Sequence, residues 1–178
     1  TGTAIVTSAA QKVSGANSAL SVLGAGAAAA QMRRTTAPWT LVDGNTAWCS
    51  AQFYVSSIGS TRCDFIEFNL LKVGVILSGG VKQLVVFHSG IGSNFGQAAD
   101  ELIAFPEGAW VRVKVAFTVA PSTTNAKSGR VRVWQDTGTG YRLILDVIGI
   151  NTYSSLSQNL WLGGLSSGNA CSIYMDDV

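Results

Sequence analysis

Along most of the chain, side chains alternate one by one between apolar and polar, the period of a half-buried β-strand. Residues 110–119 show it most clearly. Val111, Val113, Val115, Phe117 and Val119 fall on one face, while Arg112, Lys114 and Thr118 fall on the other. Residues 130–135 repeat the pattern, with Val131 and Val133 set against Arg130, Arg132 and Trp134. Between the two runs, residues 121–129 are rich in Pro, Ser, Thr, Asn and Gly, which is turn chemistry, so an antiparallel hairpin is predicted. Placing Lys114 opposite Trp134 also places Arg112 opposite Asp136, where a cross-strand ion pair is expected. Further strands are predicted at 4–8, 19–23, 31–35, 47–56, 64–71, 73–77, 83–88, 142–148, 160–163 and 172–176. Many short strands punctuated by Gly and Ser predict an all-β, two-sheet antiparallel β-sandwich, with residues 1–178 forming a single domain. The Ala/Gly-rich stretch 24–30 is predicted as a loop, and 97–104 as a helical turn before Pro106.

Composition removes several classes of function. The chain has 178 residues, 47% hydrophobic and 12% charged, with a formal net charge of +2. That much apolar and so little charged residue excludes disorder. A charge of +2 gives little counterion-release drive, so no nucleic-acid partner is expected. No run of 18 apolar residues occurs, so no membrane span is expected. Cys49, Cys63 and Cys171 are three in number and cannot all pair. With no C-x-x-C spacing and His88 as the one histidine, a structural zinc site lacks ligands. The cysteines are read as buried free thiols, with one internal bridge as the alternative, and folding is expected in a reducing cytoplasm.

Four segments in order carry a family resemblance. Gly108, Trp110, Val113 and Val115 resemble the "G-x-W-x-x-V-x-V" strand of laminin-G-like and concanavalin A-like domains. Residues 131–138 resemble the strand that follows, with Thr137 set between Asp136 and Gly138 where the family usually turns on Asp-Gly. Leu160, Leu162 and Gly163, then Tyr174, Asp176, Asp177 and Val178, look like the closing pair "L-x-L-G … Y-x-D-D-V". Ser14, Gly15, Ser18, Leu20 and Val22 are similar to the opening strand. The resemblance implies a jelly roll with one curved sheet, and a natural chain that continues past Val178. It also implies calcium as a possible ligand of Asp176 and Asp177; no other cofactor is expected.

Two sets of residues are candidates for binding. On 47–56, Trp48, Ser50, Gln52, Tyr54 and Ser56 alternate against apolar positions, and aromatic rings among amides and hydroxyls suit sugar stacking with directional hydrogen bonds. Glu67 and Asn69 are expected to extend that face from a neighbouring strand. An ordinary half-wet sheet face has the same pattern. The second set is Arg112, Lys114, Arg130, Arg132 and Trp134 on the hairpin, suited to an anionic glycan or an acidic protein surface, and equally to a solvated face.

No catalytic constellation is readable. Glycoside hydrolases of this fold place paired carboxylates on one strand, and here Asp64 and Glu67 stand three apart, on opposite faces. His88 lacks the Gln two residues earlier that similar polysaccharide lyases carry, and reads as a strand-end histidine. The chain is therefore expected to be non-catalytic. Low charge, unpaired thiols and uncovered strand edges favour a module held by other subunits of an assembly, as a homo-oligomer or among capsid or tail proteins. Domains of the resembled family are common on phage particles, so a virion-surface or extracellular protein is expected. The alternatives are a carbohydrate-binding module of a secreted bacterial protein, engaging cell-surface glycan, and a polysaccharide-degrading enzyme.

Overall fold

A computed structural model describes residues 5–11, 13, 18–23, 30–33, 44–56, 62–120, 127–152, 160–164 and 171–177. Its strands are β1 (Ile5–Ser8), β2 (Ser18–Leu23), β3 (Ala30–Arg33), β4 (Thr46–Val55), β5 (Cys63–Phe68), β6 (Leu71–Ser78), β7 (Val81–His88) and β8 (Ser93–Phe95). They continue as β9 (Trp110–Thr118), β10 (Gly129–Asp136), β11 (Tyr141–Ile150), β12 (Leu160–Gly164) and β13 (Cys171–Asp176). One sheet has seven strands in the order β1-β2-β13-β4-β9-β10-β11; the other has six in the order β3-β12-β5-β6-β7-β8. All pairings are antiparallel. The fold is a two-sheet jelly-roll β-sandwich.

Alternation decides which side of each strand is dry. Ala47, Cys49, Ala51, Phe53 and Val55 of β4, and Val111, Val113, Val115 and Phe117 of β9, face the core from the seven-stranded sheet. Cys63, Phe65, Phe68, Leu71, Val73 and Val75 meet them from β5 and β6. Rings lock the layers together: Phe53 and Phe65 lie 4.4 Å apart, and Phe68 stacks on Phe117 at 4.7 Å. Each fully buried Phe contributes roughly 2–3 kcal/mol relative to exposure.

The predicted hairpin forms in the predicted register, with Trp134 opposite Lys114. The expected Arg112–Asp136 ion pair does not. Pairing ends at Gln135 opposite Val113, and the Asp136 carboxylate turns into the following loop, accepting from the Gly138 and Gly140 amides at 2.9 and 3.3 Å. An Asp beside a tight turn finds backbone donors nearer than a cation across the sheet.

The expected strand 64–71 is broken at Asn69 and Leu70, a two-residue turn between β5 and β6 in which Asn69 adopts φ 53°. Asn tolerates that left-handed conformation better than most residues. β8 was not foreseen, and the helical turn before Pro106 is a single 3-10 turn over Ala99–Glu101. Residues 24–29 of the predicted Ala/Gly loop lie outside the described residues, as do 14–17 of the opening motif and Val178.

His88 is buried and serves the fold. The Gly90 amide donates to its Nδ1 at 3.1 Å, so the ring proton sits on Nε2, which donates to the Asn151 carbonyl at 2.8 Å. Both nitrogens are engaged, and β7 is tied to the chain leaving β11. The three cysteines are free and buried.

Candidate functional site

The two candidate sets occupy one surface. β4 pairs with β9, which sets Ser50 opposite Lys114, Gln52 opposite Arg112 and Tyr54 opposite Trp110. On the far side of β9, β10 brings Arg132 opposite Ala116 and Trp134 opposite Lys114. All of these point away from the core, on the outer face of the seven-stranded sheet.

Ala116 makes the centre of this face possible. It is buried yet lies outside the core between the sheets, flanked by Trp48 on β4 and Arg132 on β10. β4 and β10 are two strand spacings apart, about 10 Å. The small Ala116 leaves room over β9, so the Trp48 and Trp134 rings lean together and stack at 5.5 Å, tilted by 25°. Lys114 Nζ sits 4.6 Å from the Trp48 ring centre, 5.8 Å from Trp134 and 6.0 Å from Tyr141. The Arg132 guanidinium lies 5.7 Å from Trp48 and 5.4 Å from Trp134. Each such contact contributes about 0.5–1 kcal/mol at an exposed site. Trp48 remains 49% exposed, so much of the ring pair is open to solvent.

Arg130 is held differently. Its guanidinium grips Asp146 of β11 through two hydrogen bonds, Nε to Oδ1 at 2.7 Å and Nη2 to Oδ2 at 2.5 Å. That bond, with the charge of Arg130 and Arg132, keeps the Asp146 carboxyl below the usual aspartate range. Arg130 is therefore neutralised at the edge of the face, while Lys114 and Arg132 lie against rings, Arg132 also within reach of the Asp146 charge.

At the other end, Tyr54 meets Tyr174 of β13 edge-on at 5.6 Å and Trp110 at 5.8 Å. Gln52 is buried and donates to Asp177 Oδ2 at 2.7 Å. Exposed Arg112 stands beside it. Tyr54 lies six positions beyond Trp48, about 20 Å along the strand, so the face is long enough for several sugar rings in a row.

Glu67 and Asn69 do not extend the face. The chain crosses to the other sheet between β4 and β5, so β4 has β13 and β9 as its neighbours. Glu67 instead lies opposite Trp161 and 3.7 Å from Lys72, and its partial burial raises its pKa above the ordinary glutamate value. Asp176 accepts from the Val13 and Asp177 amides, both at 2.9 Å, while Asp177 accepts from Gln52; among the described residues no cluster of three metal-ligating side chains forms. Trp110, Tyr141 and Tyr174 belong to the face though they were not singled out as candidates. The parity of Trp110 with Arg112 and Lys114 is the signal that would have found it.

A cleft of about 440 Å³ adjoins the face between β8 and β11, lined in part by Phe95, Gln97, Glu101, Asp146 and Ile148.

No family model and no curated sequence matches the chain. Solved structures do. The cellulose-induced protein Cip1 superposes with a TM-score of 0.69 over 99% of this chain and 84% of its own, at 17% identity. An alginate lyase from Aplysia kurodai gives 0.58 over 97% and 84%, at 11% identity. A carbohydrate esterase of the Shiga toxin-encoding bacteriophage phi24B gives 0.57 over 99% and 85%, also at 11% identity. What the chain shares with these proteins is the β-sandwich fold. Identities this low carry the fold alone, but they overturn the expectation of a non-catalytic chain. That expectation rested on missing sequence motifs, and lyases and an esterase are built on this same sandwich. Among the described residues, no helix is long and apolar enough to cross a membrane.

Proposed function

We propose that the chain engages an acidic polysaccharide along the outer face of its seven-stranded sheet. The observation that carries this reading is Lys114 Nζ, 4.6 Å over the half-exposed Trp48 ring and flanked by Trp134 and Arg132. Stacked rings offer a platform for the apolar face of a sugar, and the two cations beside them match carboxylates along the polymer. A polymer lying along β4 would then reach Arg112 and the Tyr54–Tyr174 pair. The alginate lyases among the similar structures act on a polymer of this charge type, which supports the substrate class. Such a substrate places the protein's work outside the producing cell.

Titration calorimetry against a polyuronate and against an uncharged glucan tests the reading. Binding is expected for the polyuronate, weakening as salt rises, and Trp48→Ala is expected to lower affinity about tenfold. Equal binding of the two polymers would overturn it. The same mixtures, followed in the ultraviolet for unsaturated sugar and by titration for released acid, report whether the bound polymer is cleaved by elimination or de-esterified.

A second reading, a subunit of a virion surface, keeps one observation in its favour. β11 is the edge of its sheet, and it exposes Tyr141, Leu143 and Ile148, the last to 70%. An apolar edge of this kind suits contact with another copy. Native mass measurement decides it: a defined oligomer that dissociates in Ile148→Lys supports the reading, and a monomer removes it.

A further inference from the structure

We propose that Cys63 and Cys171 form an intrachain disulfide that staples the two sheets together when the chain folds in an oxidising compartment. The Cys63 and Cys171 sulfurs lie 2.8 Å apart, inside the sandwich, with both residues all but inaccessible to solvent. Cys63 opens β5 of the six-stranded sheet and Cys171 opens β13 of the seven-stranded sheet. The pair thus spans the core at one place where the two layers meet. A disulfide requires about 2.05 Å between sulfurs, a shift of less than 1 Å.

The third cysteine is the internal contrast. Cys49 sits in the core on β4, where burial pushes its thiol up to about 11 and its sulfur has no sulfur partner among the described residues. In the pair, by contrast, the Cys63 S–H donates to Cys171. That bond and burial together raise Cys63, while the same bond lowers Cys171 against the opposing effect of burial, so Cys171 is the first to ionise.

The oxidant is a low-molecular-weight or protein disulfide, met while the chain folds. The Cys171 thiolate attacks one sulfur of that disulfide, forming a mixed disulfide and releasing one thiolate. Cys63 then loses its proton and attacks Cys171 Sγ, displacing the second thiol. Two protein thiols are oxidised and one external disulfide is reduced to two thiols. This bond replaces the reducing compartment expected from an odd cysteine count, with Cys49 as the residue left over.

The chain is refolded in a glutathione redox buffer, alkylated in denaturant without reductant, and mapped by peptide mass. The expected result is one alkylated cysteine, Cys49, and a linked peptide joining Cys63 to Cys171. Because the bond closes a loop over 108 positions, reductant is expected to lower the melting temperature by about 10 °C. That sensitivity should vanish in Cys63→Ala/Cys171→Ala and persist in Cys49→Ala. Three alkylated cysteines after equilibration with oxidised glutathione, or linkage through Cys49, would overturn the proposal. The mapping is done on the unaltered chain, so it stands even if the double variant fails to fold.

Discussion

The two outer faces of the sandwich handle charge in different ways. On the six-stranded sheet, Arg62 lies over the Phe87 ring at 3.6 Å but also bonds the fully buried Asp64 at 2.5 Å and Asn94 at 3.1 Å. Lys72 pairs with Glu67 beside it, and Lys82 at the strand end pairs with Glu107. On the seven-stranded sheet, Arg130 has its carboxylate in Asp146, whereas Lys114 and Arg132 rest on Trp48 and Trp134. A cation matched by a carboxylate has spent its field locally. A cation resting on a ring still presents its charge to whatever docks there, because the ring attracts it without neutralising it. The first face uses its charges within the fold, whereas the second leaves cations available for the ligand proposed above.

The sharpest way to break that division is at Gly74. It lies opposite Asp64 at a bulge in β5, and a Cβ there would come within 2.4 Å of the Cys63 carbonyl and 2.6 Å of Asp64 Oδ1. The backbone contact cannot yield by rotating a side chain. Gly74→Ala is therefore expected to destabilise the fold by about 3 kcal/mol in urea titrations, with polyuronate affinity unchanged wherever the protein remains folded. A loss of affinity at full stability would show that the stability face also serves the ligand.

Gly74 also marks a limit of what alternation shows. The hairpin of β9 and β10 was legible down to Lys114 opposite Trp134, since both strands keep a strict period of two and the turn chemistry lies between them. The inward and outward sides of β4 were legible for the same reason. What could not be read was that Trp48 and Trp134 would touch. β4 pairs with β9 across more than fifty residues of intervening chain, and periodicity fixes a strand's faces without naming its neighbour. Glu67 lies on the other sheet for that same reason: β5 follows β4 in sequence without lying beside it. The bulge at Asp64 and the turn at Asn69 are local conformations that no alternation encodes.

A smaller effect separates the two kinds of cation. Lys114→Met and Arg132→Met keep most of the apolar stem that packs on the rings and remove the charge. Each is expected to weaken polyuronate binding about fivefold and to flatten its salt dependence, in line with about 1 kcal/mol per contact. Lys72→Met, on the other face, should leave both unchanged. If Lys72→Met matches Lys114→Met, the ligand is reading net charge and the ring platform has no special part in it.

The finest contrast lies in the carboxylates, which should respond to acid in opposite senses. Burial is the largest influence on Glu67 and raises its pKa, outweighing Lys72. The folded chain then binds that proton more tightly than the unfolded chain. Its contribution is present below the ordinary glutamate value and is lost as pH rises through the raised one. Asp146 is the reverse: the hydrogen bond from Arg130 lowers its pKa, so its contribution is present above the ordinary aspartate value and is lost as pH falls through the lowered one. Urea midpoints measured over about pH 3 to 6 should therefore change slope in opposite directions in Glu67→Gln and Asp146→Asn. Because Asp146 and Arg130 are largely exposed, the Asp146→Asn change should shrink in salt, while the change at half-buried Glu67 should persist. Equal salt sensitivity at the two sites would mean that burial does not set the six-stranded face apart.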